Sequence, residues 1–348
     1  MKAAVVGAGQ IARQHLACLQ EIPGVEVAGV CDLSRAVAEC AAERFGVPAS
    51  FTDYGAMLRT VRPEVVHVTT PPPSHFRLAL EALEAGAHVI VEKPATATLA
   101  ELEALAACAR DRKRALVEDH NYLFNPATRE IVRRIESGAF GAVVHVEVSI
   151  CLDILGPSGF ADPNTTHPAL GLAGGAIADF LPHLSSLAYL FVGGHRRARS
   201  SWTKRRASPL PYDEFRALVE AERGTASLSF SANSQPDALW LRVYGEHMQG
   251  TANLFETRLT FDRFHGGPKQ LRSFFNGLEE GTSIRRAAFS NLVGKFGSGP
   301  GVMEGLWELL RRTYRALGDG SALPVPAEQV LAVNRLVDAL KPEGGGKP

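Results

Sequence analysis

The sequence predicts an α/β protein in two parts. The first 120 residues are expected to form a doubly wound parallel sheet, and the rest an α+β domain with a largely antiparallel open sheet. The first expectation comes from apolar, strand-like runs that alternate with amphipathic helices, because strands connected by helices pair in parallel. The second comes from consecutive strand-like segments between residues 214 and 263, with turn residues between them.

The elements of the first part are bounded by recognisable capping and turn residues. Val65–Thr69 is a β-branched run typical of a strand buried on both faces of a sheet. Gly46 and Gly86 follow predicted helices, and Thr98 with Glu101 forms a Thr-x-x-Glu capping box. The predicted strands are Ala3–Val6, Val25–Cys31, Val65–Thr69, His88–Val91 and Ala115–Glu118, and the predicted helices are Gln10–Gln20, Ser34–Phe45, Asp53–Thr60, Ser74–Ala85 and Thr98–Arg112.

The pattern changes after residue 120. Asn125-Pro126 opens a helix that ends at Gly138, Ala142–Ile150 alternates as a long strand, and Gly175–Phe191 is helical. We therefore divide the chain into a domain of residues 1–120 and a domain of residues 121–326. Five more strands are predicted near 214–220, 225–231, 238–245, 249–255 and 257–263, and the closing helices are Val302–Leu317 and Ala327–Leu340.

Composition limits the classes of function. The 348 residues suggest about two domains, and 37 basic residues balance 37 acidic ones, which argues against a nucleic-acid partner. No apolar run has the length of a membrane span, and the N-terminus lacks a secretory signal, so we expect a cytoplasmic protein with no membrane partner. Five scattered cysteines without a Cys-x-x-Cys pair indicate neither a disulfide framework nor a thiolate metal site.

A glycine-rich segment, Gly7-Ala8-Gly9-Gln10-Ile11-Ala12, joins the first strand to the first helix. Gly7 permits a tight turn, Gly9 lets the backbone approach a pyrophosphate, and Ala12 permits close packing of the helix on the strand. The N–H groups at the start of the helix face the phosphates. Asp32 ends the second strand 20 residues after Ala12, where a carboxylate binds the adenine ribose hydroxyls. The combination predicts a Rossmann domain that binds NAD.

Two residues bear on the choice between NAD and NADP. The carboxylate of Asp32 would repel a 2′-phosphate and bind a 2′-hydroxyl, which favours NAD. Arg35 lies three residues further on and offers a guanidinium to a phosphate. NADP therefore stays open as the alternative cofactor.

Three further segments share the marks of one known family. They are Thr69-Thr70-Pro71-Pro72-Pro73-Ser74-His75, Ala85-Gly86-Ala87-His88-Val89-Ile90-Val91-Glu92-Lys93-Pro94 and Gly174-Gly175-Ala176-Ile177-Ala178-Asp179-Phe180-Leu181-Pro182-His183. Together they resemble the Gfo/Idh/MocA family, which contains glucose–fructose oxidoreductase, inositol dehydrogenase and their relatives. Glu-Lys-Pro after a strand is its best known mark, and the third segment is similar to its Gly-Gly-x-x-x-Asp-x-Gly-x-His helix. The resemblance covers nearly the whole chain.

The sequence departs from the family pattern at two positions. Leu181 stands where the family usually has glycine, and Ser186 stands where an aspartate is often found. Both positions bear on the shape of the substrate pocket.

The resemblance implies an NAD(P)-dependent oxidoreductase that transfers a hydride between a nicotinamide and a hydroxyl or carbonyl group of a sugar, cyclitol or sugar derivative. It also implies that helix 327–340 packs back on the Rossmann domain, and that the sheet of the second domain makes the subunit contacts of a homodimer or homotetramer. The family positions near the cofactor correspond to Thr70, Pro71, His75, Glu92 and Lys93.

Lys93, Asp179 and His183 are the candidate catalytic residues, and all three are also expected to contact the substrate. Asp179 and His183 are four residues apart on a predicted helix and share one face. Histidine suits a general base for the hydroxyl proton, and Asp179 would orient the substrate or the imidazole. Lys93 follows a Rossmann strand, where its ammonium would stabilise a developing alkoxide. We assign no metal, because no other cluster has ligand spacing.

Several other polar residues are weaker candidates. Asn121 and Tyr122, in the segment His120-Asn121-Tyr122, are expected to contact the substrate, and a structural network is an equally good interpretation. His167 precedes the Gly-Gly helix and is a further substrate candidate. The segment His195–Arg206 carries six Arg and Lys residues, which favour a solvated edge strand over a site for a phosphorylated or nucleotide-linked substrate.

Two rival functions use the same fold. One is a regulator that binds the dinucleotide without catalysis, which the presence of Lys93 and His183 disfavours. The other is an enzyme that keeps its cofactor tightly bound and recycles it within one turnover. Release of reduced cofactor over many turnovers distinguishes the second from a simple dehydrogenase.

Overall fold

The structure is a computed structural model that describes residues 1–154, 174–206, 208, 210–256, 258–264, 269–297 and 303–342. His167, one of the candidate substrate residues, lies outside the described residues. By internal contacts the chain forms two units. The first unit is Met1–Phe124 with Val302–Asn334, and the second is Asn125–Gly301 with Arg335–Pro348.

The α-helices are 8 to 29 residues long. Short 3-10 helices occur at Pro72–Ser74 and Asn121–Phe124. The strands are β1 (Lys2–Val6), β2 (Glu26–Cys31), β3 (Ser50–Phe51), β4 (Val65–Val68), β5 (His88–Val91), β6 (Leu116–Glu118), β7 (Val143–Cys151), β8 (His195–Thr203), β9 (Glu214–Ala221), β10 (Thr225–Ser231), β11 (Ala238–Gly245), β12 (Met248–Asn253) and β13 (Arg258–Arg263). The helices are α1 (Gln10–Gln20), α2 (Arg35–Phe45), α3 (Tyr54–Val61), α4 (His75–Glu84), α5 (Leu99–Asp111), α6 (Pro126–Glu136), α7 (Ala176–Val192), α8 (Lys269–Gly297), α9 (Glu304–Asp319) and α10 (Ala327–Leu340).

The first unit is built on a parallel six-stranded sheet, sheet A, in the order β3-β2-β1-β4-β5-β6. The order reverses between β1 and β4, which is the doubly wound arrangement predicted from the sequence. All four residues of β4 are buried, as a strand covered on both faces should be. Ligands of such sheets bind outside the carboxyl ends of the strands, so the segments after β1, β2, β4, β5 and β6 are the ones to examine.

Local capping explains several helix boundaries in this unit. The predicted capping box is confirmed: Thr98 Oγ1 accepts the backbone N–H of Glu101 at 3.3 Å, and Glu101 Oε2 accepts that of Thr98 at 3.2 Å. Asp53 caps α3 by accepting the N–H of Ala56 at 2.5 Å. Gly46 ends α2 in the left-handed conformation, with φ of 61°.

The second unit is built on a seven-stranded sheet, sheet B, in the order β13-β12-β11-β7-β10-β9-β8. Only the pair β7 and β10 is parallel, so the prediction of a largely antiparallel sheet is confirmed. Val146, Val148 and Ile150 of β7 are fully buried on the face that packs against α7. The residues between them point to the opposite face, which we call the open face of sheet B.

The structure adds features that the sequence pattern did not predict. Helix α8 contains Gly277 and Gly281. Glycine is unfavourable inside a helix, so the sequence pattern did not predict α8. Helix α9, assigned from the sequence to the second domain, belongs to the first unit, where the Tyr314 hydroxyl lies 2.9 Å from His67 Nε2. In α10, the Asn334 amide donates to Glu118 Oε2 at 2.6 Å within the first unit. None of the described helices is both long and apolar enough to cross a membrane.

Candidate functional site

The glycine-rich turn after β1 is held between two neighbouring strands. The backbone N–H of Gly7 donates to the carbonyl oxygen of Cys31 at 2.8 Å, and Gly7 has φ of +86°. A Cβ added to Gly7 would lie 2.8 Å from the carbonyl carbon and oxygen of Thr69. Only glycine fits this position, because any side chain meets both an unfavourable φ and the backbone of the next strand.

The start of α1 is open. Gly9 is the N-cap residue, no side chain caps the helix, and no heavy atom lies within 4 Å of a Cβ built on Gly9. Gln10 is exposed and Ile11 half-buried, whereas Ala12 is fully buried against the sheet. A helix N-terminus with outward N–H groups and no side-chain cap is suited to bind an anionic group.

Asp32 stands directly after β2, beside this turn. Its Oδ2 accepts the N–H of Ala8 and its Oδ1 accepts the N–H of Ser34, both at 2.9 Å. Each oxygen keeps a lone pair for a further donor. Arg35, the first residue of α2, is exposed, and its Nη1 lies 4.0 Å from Glu39 Oε1. Such an exposed pair contributes little, so the guanidinium is only loosely held.

His75 is completely buried and joins the segments after β4 and β5. One ring nitrogen lies 2.6 Å from the carbonyl oxygen of Thr70, and the other lies 2.8 Å from that of Pro94. Thr70 Oγ1 also accepts the hydroxyl of Ser74 at 2.7 Å, and Pro71 is exposed. His75 therefore orders the two loops that follow these strands, rather than presenting its ring to the solvent.

Glu92 and Lys93 follow β5 at the carboxyl end of sheet A. Glu92 is 7% exposed, and its Oε2 accepts the backbone N–H of Lys93 at 3.3 Å. Lys93 is half-buried, and the Lys93–Pro94 peptide is cis. Lys93 therefore lies at the carboxyl end of a strand of sheet A, as the sequence predicted, and next to the buried carboxylate of Glu92.

Glu92 belongs to a buried cluster with His15 and Asp119, which we call the acid cluster. The ligand-type atoms of these three residues lie within 4.8 Å of one another. Burial, reinforced by the charge of Glu92 and a hydrogen bond with it, raises the pKa of Asp119 well above its usual range. Burial also favours the protonated form of Glu92. The pKa of Glu92 is nevertheless lowered to about 2 by the hydrogen bond and charge of His15, by the hydrogen bond with Asp119 and by the Lys93 ammonium. The pair thus holds one proton, on Asp119.

The acid cluster continues inward through two more side chains. His15 Nε2 lies 3.0 Å from Glu92 Oε1, and His15 Nδ1 lies 2.9 Å from His67 Nδ1. His67 Nε2 lies 2.9 Å from the hydroxyl of Tyr314. Burial, and then the neighbouring His15, lowers the pKa of His67 well below its usual range, so His67 is neutral.

The segment after β6 presents polar atoms that lack a partner among the described residues. His120 Nε2 lies 3.1 Å from Glu118 Oε2, while His120 Nδ1, Asn121 Oδ1 and Asp119 Oδ1 are buried without a hydrogen bond. Buried polar groups are nearly always hydrogen-bonded, so three such atoms in consecutive residues point to a ligand or ordered water. Tyr122 is half-buried beside them, and burial raises its pKa to about 12.

In the second unit, α7 carries both Asp179 and His183. Two glycines precede it in left-handed conformations, and a Cβ on Gly175 would lie 2.8 Å from Pro211. Asp179 is half-buried in the first turn, and His183 is 6% exposed one turn later. The predicted spacing of four residues therefore places both side chains on one face of α7. Leu181 and Ser186, the departures from the family pattern, are buried on the same helix.

The basic segment His195–Arg206 forms the edge strand of sheet B and the turn after it. Arg197 pairs with Glu220, and the backbone N–H groups of Arg205 and Arg206 donate to Asp213 at 2.7 and 2.8 Å. The charged-edge interpretation is confirmed by the strand order. Arg199 lines a concavity of about 660 Å³ on the open face, together with Arg216 and Arg242.

With this geometry established, comparison with known proteins identifies the family. Residues 1–120 match the model of an oxidoreductase family with an NAD-binding Rossmann fold. Residues 128–249 match the model of the Gfo/Idh/MocA C-terminal domain. The chain belongs to the Gfo/Idh/MocA family.

Relatives of this Gfo/Idh/MocA protein include several enzymes of sugar chemistry. The dTDP-3,4-didehydro-2,6-dideoxy-alpha-D-glucose 3-reductase of Streptomyces violaceoruber is 28% identical over 357 residues, which cover 98% of this chain and 96% of the reductase. The D-glucoside 3-dehydrogenase of Escherichia coli is 32% identical over 144 residues, 41% of either chain, so that match spans less than half of its length.

A solved structure shows the shared fold. The oxidoreductase from Agrobacterium radiobacter in complex with NAD+, L-tartaric acid and magnesium has a TM-score of 0.80 at 17% identity, covering 98% of this chain and 95% of that one. The similarity extends over both units of the chain, each of which has its counterpart in the Gfo/Idh/MocA architecture.

The residues of this Gfo/Idh/MocA protein fit NAD. The open space over Gly9 and the uncapped start of α1 suit a pyrophosphate, and Asp32 has lone pairs for the ribose hydroxyls. Sequence reasoning missed His15, His67, Asp119 and Tyr314, which lie far apart along the chain. The signal that was available for His15 is its place on the apolar face of α1, with Ala12, Leu16 and Leu19.

We expect NAD(H) to bind more tightly than NADP(H), and Asp32 to be the cause. Asp32→Asn removes the charge but keeps one oxygen as an acceptor, so it should weaken NADH binding by about tenfold and reduce the discrimination against NADPH. Titration of both cofactors by tryptophan fluorescence measures this, with Arg35→Ala as the matched variant. Tighter binding of NADPH to the wild type, abolished in Arg35→Ala, would show that Arg35 decides instead.

Proposed function

We propose that this protein is an NAD-dependent oxidoreductase that acts on a CH–OH or keto group of a sugar, cyclitol or sugar derivative. The observation that carries the proposal is the position of Lys93 at the carboxyl end of an NAD-binding Rossmann sheet, next to the buried Glu92, whose pKa its charge lowers. The Asp179 and His183 pair on α7 supports it. Relatives with sugar-derived names, such as the D-glucoside 3-dehydrogenase, support the substrate class.

The chemistry assigns one task to each candidate side chain. Oxidation of a carbinol removes a proton from its hydroxyl and a hydride from its carbon. His183 accepts the proton, and the Lys93 ammonium donates a hydrogen bond to the reacting oxygen and stabilises the developing alkoxide. Asp179, one turn before His183, orients the imidazole or the substrate. NAD, when bound, supplies the hydride acceptor.

The segment after β6 provides acceptors for the rest of the substrate. His120 Nε2 faces Glu118 Oε2 at 3.1 Å, which leaves Nδ1 for another partner. Together with Asn121 Oδ1 it offers two buried polar atoms in consecutive residues. Hydroxyl groups both donate and accept hydrogen bonds, so a polyhydroxy substrate agrees with both atoms. Tyr122 contributes an aromatic ring and a neutral hydroxyl beside them.

Quaternary structure and location complete the proposal. The open face of sheet B exposes Leu218 by 69% and carries the half-buried Trp240, which supports a homodimer or homotetramer assembled through this face. Five cysteines without a disulfide support a reducing compartment, the cytoplasm. Light scattering at several protein concentrations tests the assembly, and a monomeric mass throughout would contradict it.

A substrate panel tests the function itself. Sugars, polyols and cyclitols, each with and without phosphate or a nucleotide, are supplied with NAD or NADP, and the absorbance of the reduced cofactor is followed. We expect reduced NAD to accumulate over many turnovers with at least one polyhydroxy compound. A single turnover per bound cofactor would indicate internal recycling. Cofactor binding without turnover on the whole panel would favour the regulator.

A further inference from the structure

A continuous line of buried polar side chains leads from α9 to the carboxyl end of β5. It runs from Tyr314 through His67 and His15 to Glu92, with successive contacts of 2.9, 2.9 and 3.0 Å. Asp119 is joined to Glu92 at the far end. Each of these five residues is at most 7% exposed. Such a network is costly unless every member is satisfied, so its hydrogen-bond order can be derived.

Glu92 sets the direction at its own end of the line, because its pKa is lowered to about 2 and an ionised carboxylate can only accept hydrogen bonds. His15 Nε2–H therefore donates to Glu92 Oε1. His67 Nδ1, 2.9 Å from His15 Nδ1, joins His15 to the rest of the line. Burial, and to a lesser degree Glu64, raises the pKa of Tyr314 well above its usual range, so its hydroxyl stays protonated beside His67 Nε2.

The donors around the acid cluster favour the charge on Glu92. Two carboxylates in contact in a buried site cannot both ionise, so one proton is kept between them. Glu92 receives donors from His15 and from the backbone N–H of Lys93, and Asp119 receives none from His15. The negative charge therefore lies on Glu92, adjacent to Lys93 in the chain, and the proton lies on Asp119. The charge of Lys93 lowers the pKa of both acids, so the single negative charge has a cation near it.

We propose that His15, supported by His67 and Tyr314, is a positioning residue for Lys93, because its donated hydrogen bond makes Glu92 the carboxylate that holds the ammonium. Asp119 acts as a carboxylic acid that donates to Glu92. This inference rests on the proposed function of Lys93. Cys18 and Tyr122 are further titratable groups near Asp119, and burial raises the pKa of each to about 12, so both stay neutral.

A metal ion is the competing occupant of the acid cluster, since one imidazole and two carboxyl groups are common ligands. The geometry favours hydrogen bonding, because both nitrogens of His15 already lie within 3.0 Å of a partner. Lys93 also brings a positive charge close to both acids. The two interpretations differ in what they require of Asp119, which must be a neutral donor in one and a charged ligand in the other.

The activity test compares substitutions that keep or remove each donor. Glu92→Gln displaces the charge and should lower kcat by at least about tenfold. Asp119→Asn retains an N–H donor to Glu92, so it should lower kcat several times less than Glu92→Gln does. His15→Leu should lower kcat by about tenfold, and His15→Gln, which can still donate, should restore most of it. Equal losses in Asp119→Asn and Glu92→Gln, or full activity in His15→Leu, would overturn the inference.

Two further readouts need no substrate, so they separate this inference from the proposed function. Infrared difference spectra at neutral pH should show a protonated-acid carbonyl band that Asp119→Asn removes and the exposed Asp111→Asn does not. A wild type without that band overturns the inference even where Lys93 proves essential. Zinc that binds stoichiometrically to the wild type and fails to bind Asp119→Asn would also overturn it, in favour of a metal site.

Stability against pH gives the second readout. The folded-state pKa of Asp119 is raised. The stability that its protonated form contributes to the folded protein is therefore fully present below about pH 4, and it is lost as the pH rises toward that folded pKa. The amide of Asp119→Asn does not titrate. The melting temperature of Asp119→Asn relative to wild type should therefore rise between pH 5 and pH 8. A difference that is constant across this window would show that Asp119 is ionised in the folded protein.

Discussion

His183→Asn is expected to lower turnover by about 10²–10⁴-fold, the usual effect of removing a positioned general base. Asparagine keeps much of the side-chain volume at this buried position of α7, so the helix should stay intact. NADH affinity should be unchanged, since Gly7, Gly9 and Asp32 lie in the other unit of the chain. Turnover and NADH titration on the best substrate of the panel measure both effects.

Lys93→Met should cause a loss of similar size. Methionine keeps the apolar stem of the lysine and removes the ammonium, so the packing after β5 is largely retained. In the oxidation direction we expect wild-type turnover to rise with pH, because the proton acceptor must be unprotonated. This rise should persist in Lys93→Met and disappear in His183→Asn, because only the latter lacks the proton acceptor.

The exposed His247→Asn, in the same unit as His183, is the matched control and should behave as wild type. Wild-type turnover in both His183→Asn and Lys93→Met would show that the catalytic assignment is wrong. A parallel loss of NADH affinity and activity would show instead that the two residues support the binding site structurally.

Gly7→Ala and Gly9→Ala should separate folding from cofactor binding. Gly7→Ala adds a methyl group at φ of +86° and 2.8 Å from the Thr69 backbone, so it should cost about 2 kcal/mol or more of unfolding free energy. Gly9→Ala meets no atom within 4 Å at an ordinary φ of −71°, so its cost should be at most about 1 kcal/mol from the weaker N-cap.

For cofactor affinity we expect the opposite order, with the larger loss in Gly9→Ala. A methyl group on Gly9 projects into the open space where the pyrophosphate would approach, so NADH binding should weaken by at least about tenfold in a stably folded protein. Urea denaturation and fluorescence titration of the two variants give the two quantities. Equal stability of both variants would show that the turn relaxes around Gly7, and wild-type NADH affinity in Gly9→Ala would place the pyrophosphate elsewhere.

The sequence by itself determined the elements that depend on near neighbours. Alternation of strands and helices predicted sheet A, and the capping box of Thr98 and Glu101 involves residues three apart. The glycine-rich segment, Asp32 and the Glu-Lys-Pro mark are equally local, and they predicted the NAD-binding fold and the family. Asp179 and His183 share a face of α7 because a helix places residues four apart on one side.

The tertiary structure alone decided which distant residues meet. The parallel pairing of β7 with β10, the position of α9 in the first unit and the acid cluster each depend on contacts between segments far apart in the chain. Tyr314 and His67 are separated by 247 positions. Local periodicity carries no information about such pairs, because hydrogen bonds between side chains depend on which strands and helices become neighbours when the core closes. The charge beside Lys93 is that of Glu92. The neighbours that set it are His15, His67 and Tyr314, which no sequence motif connects to the lysine.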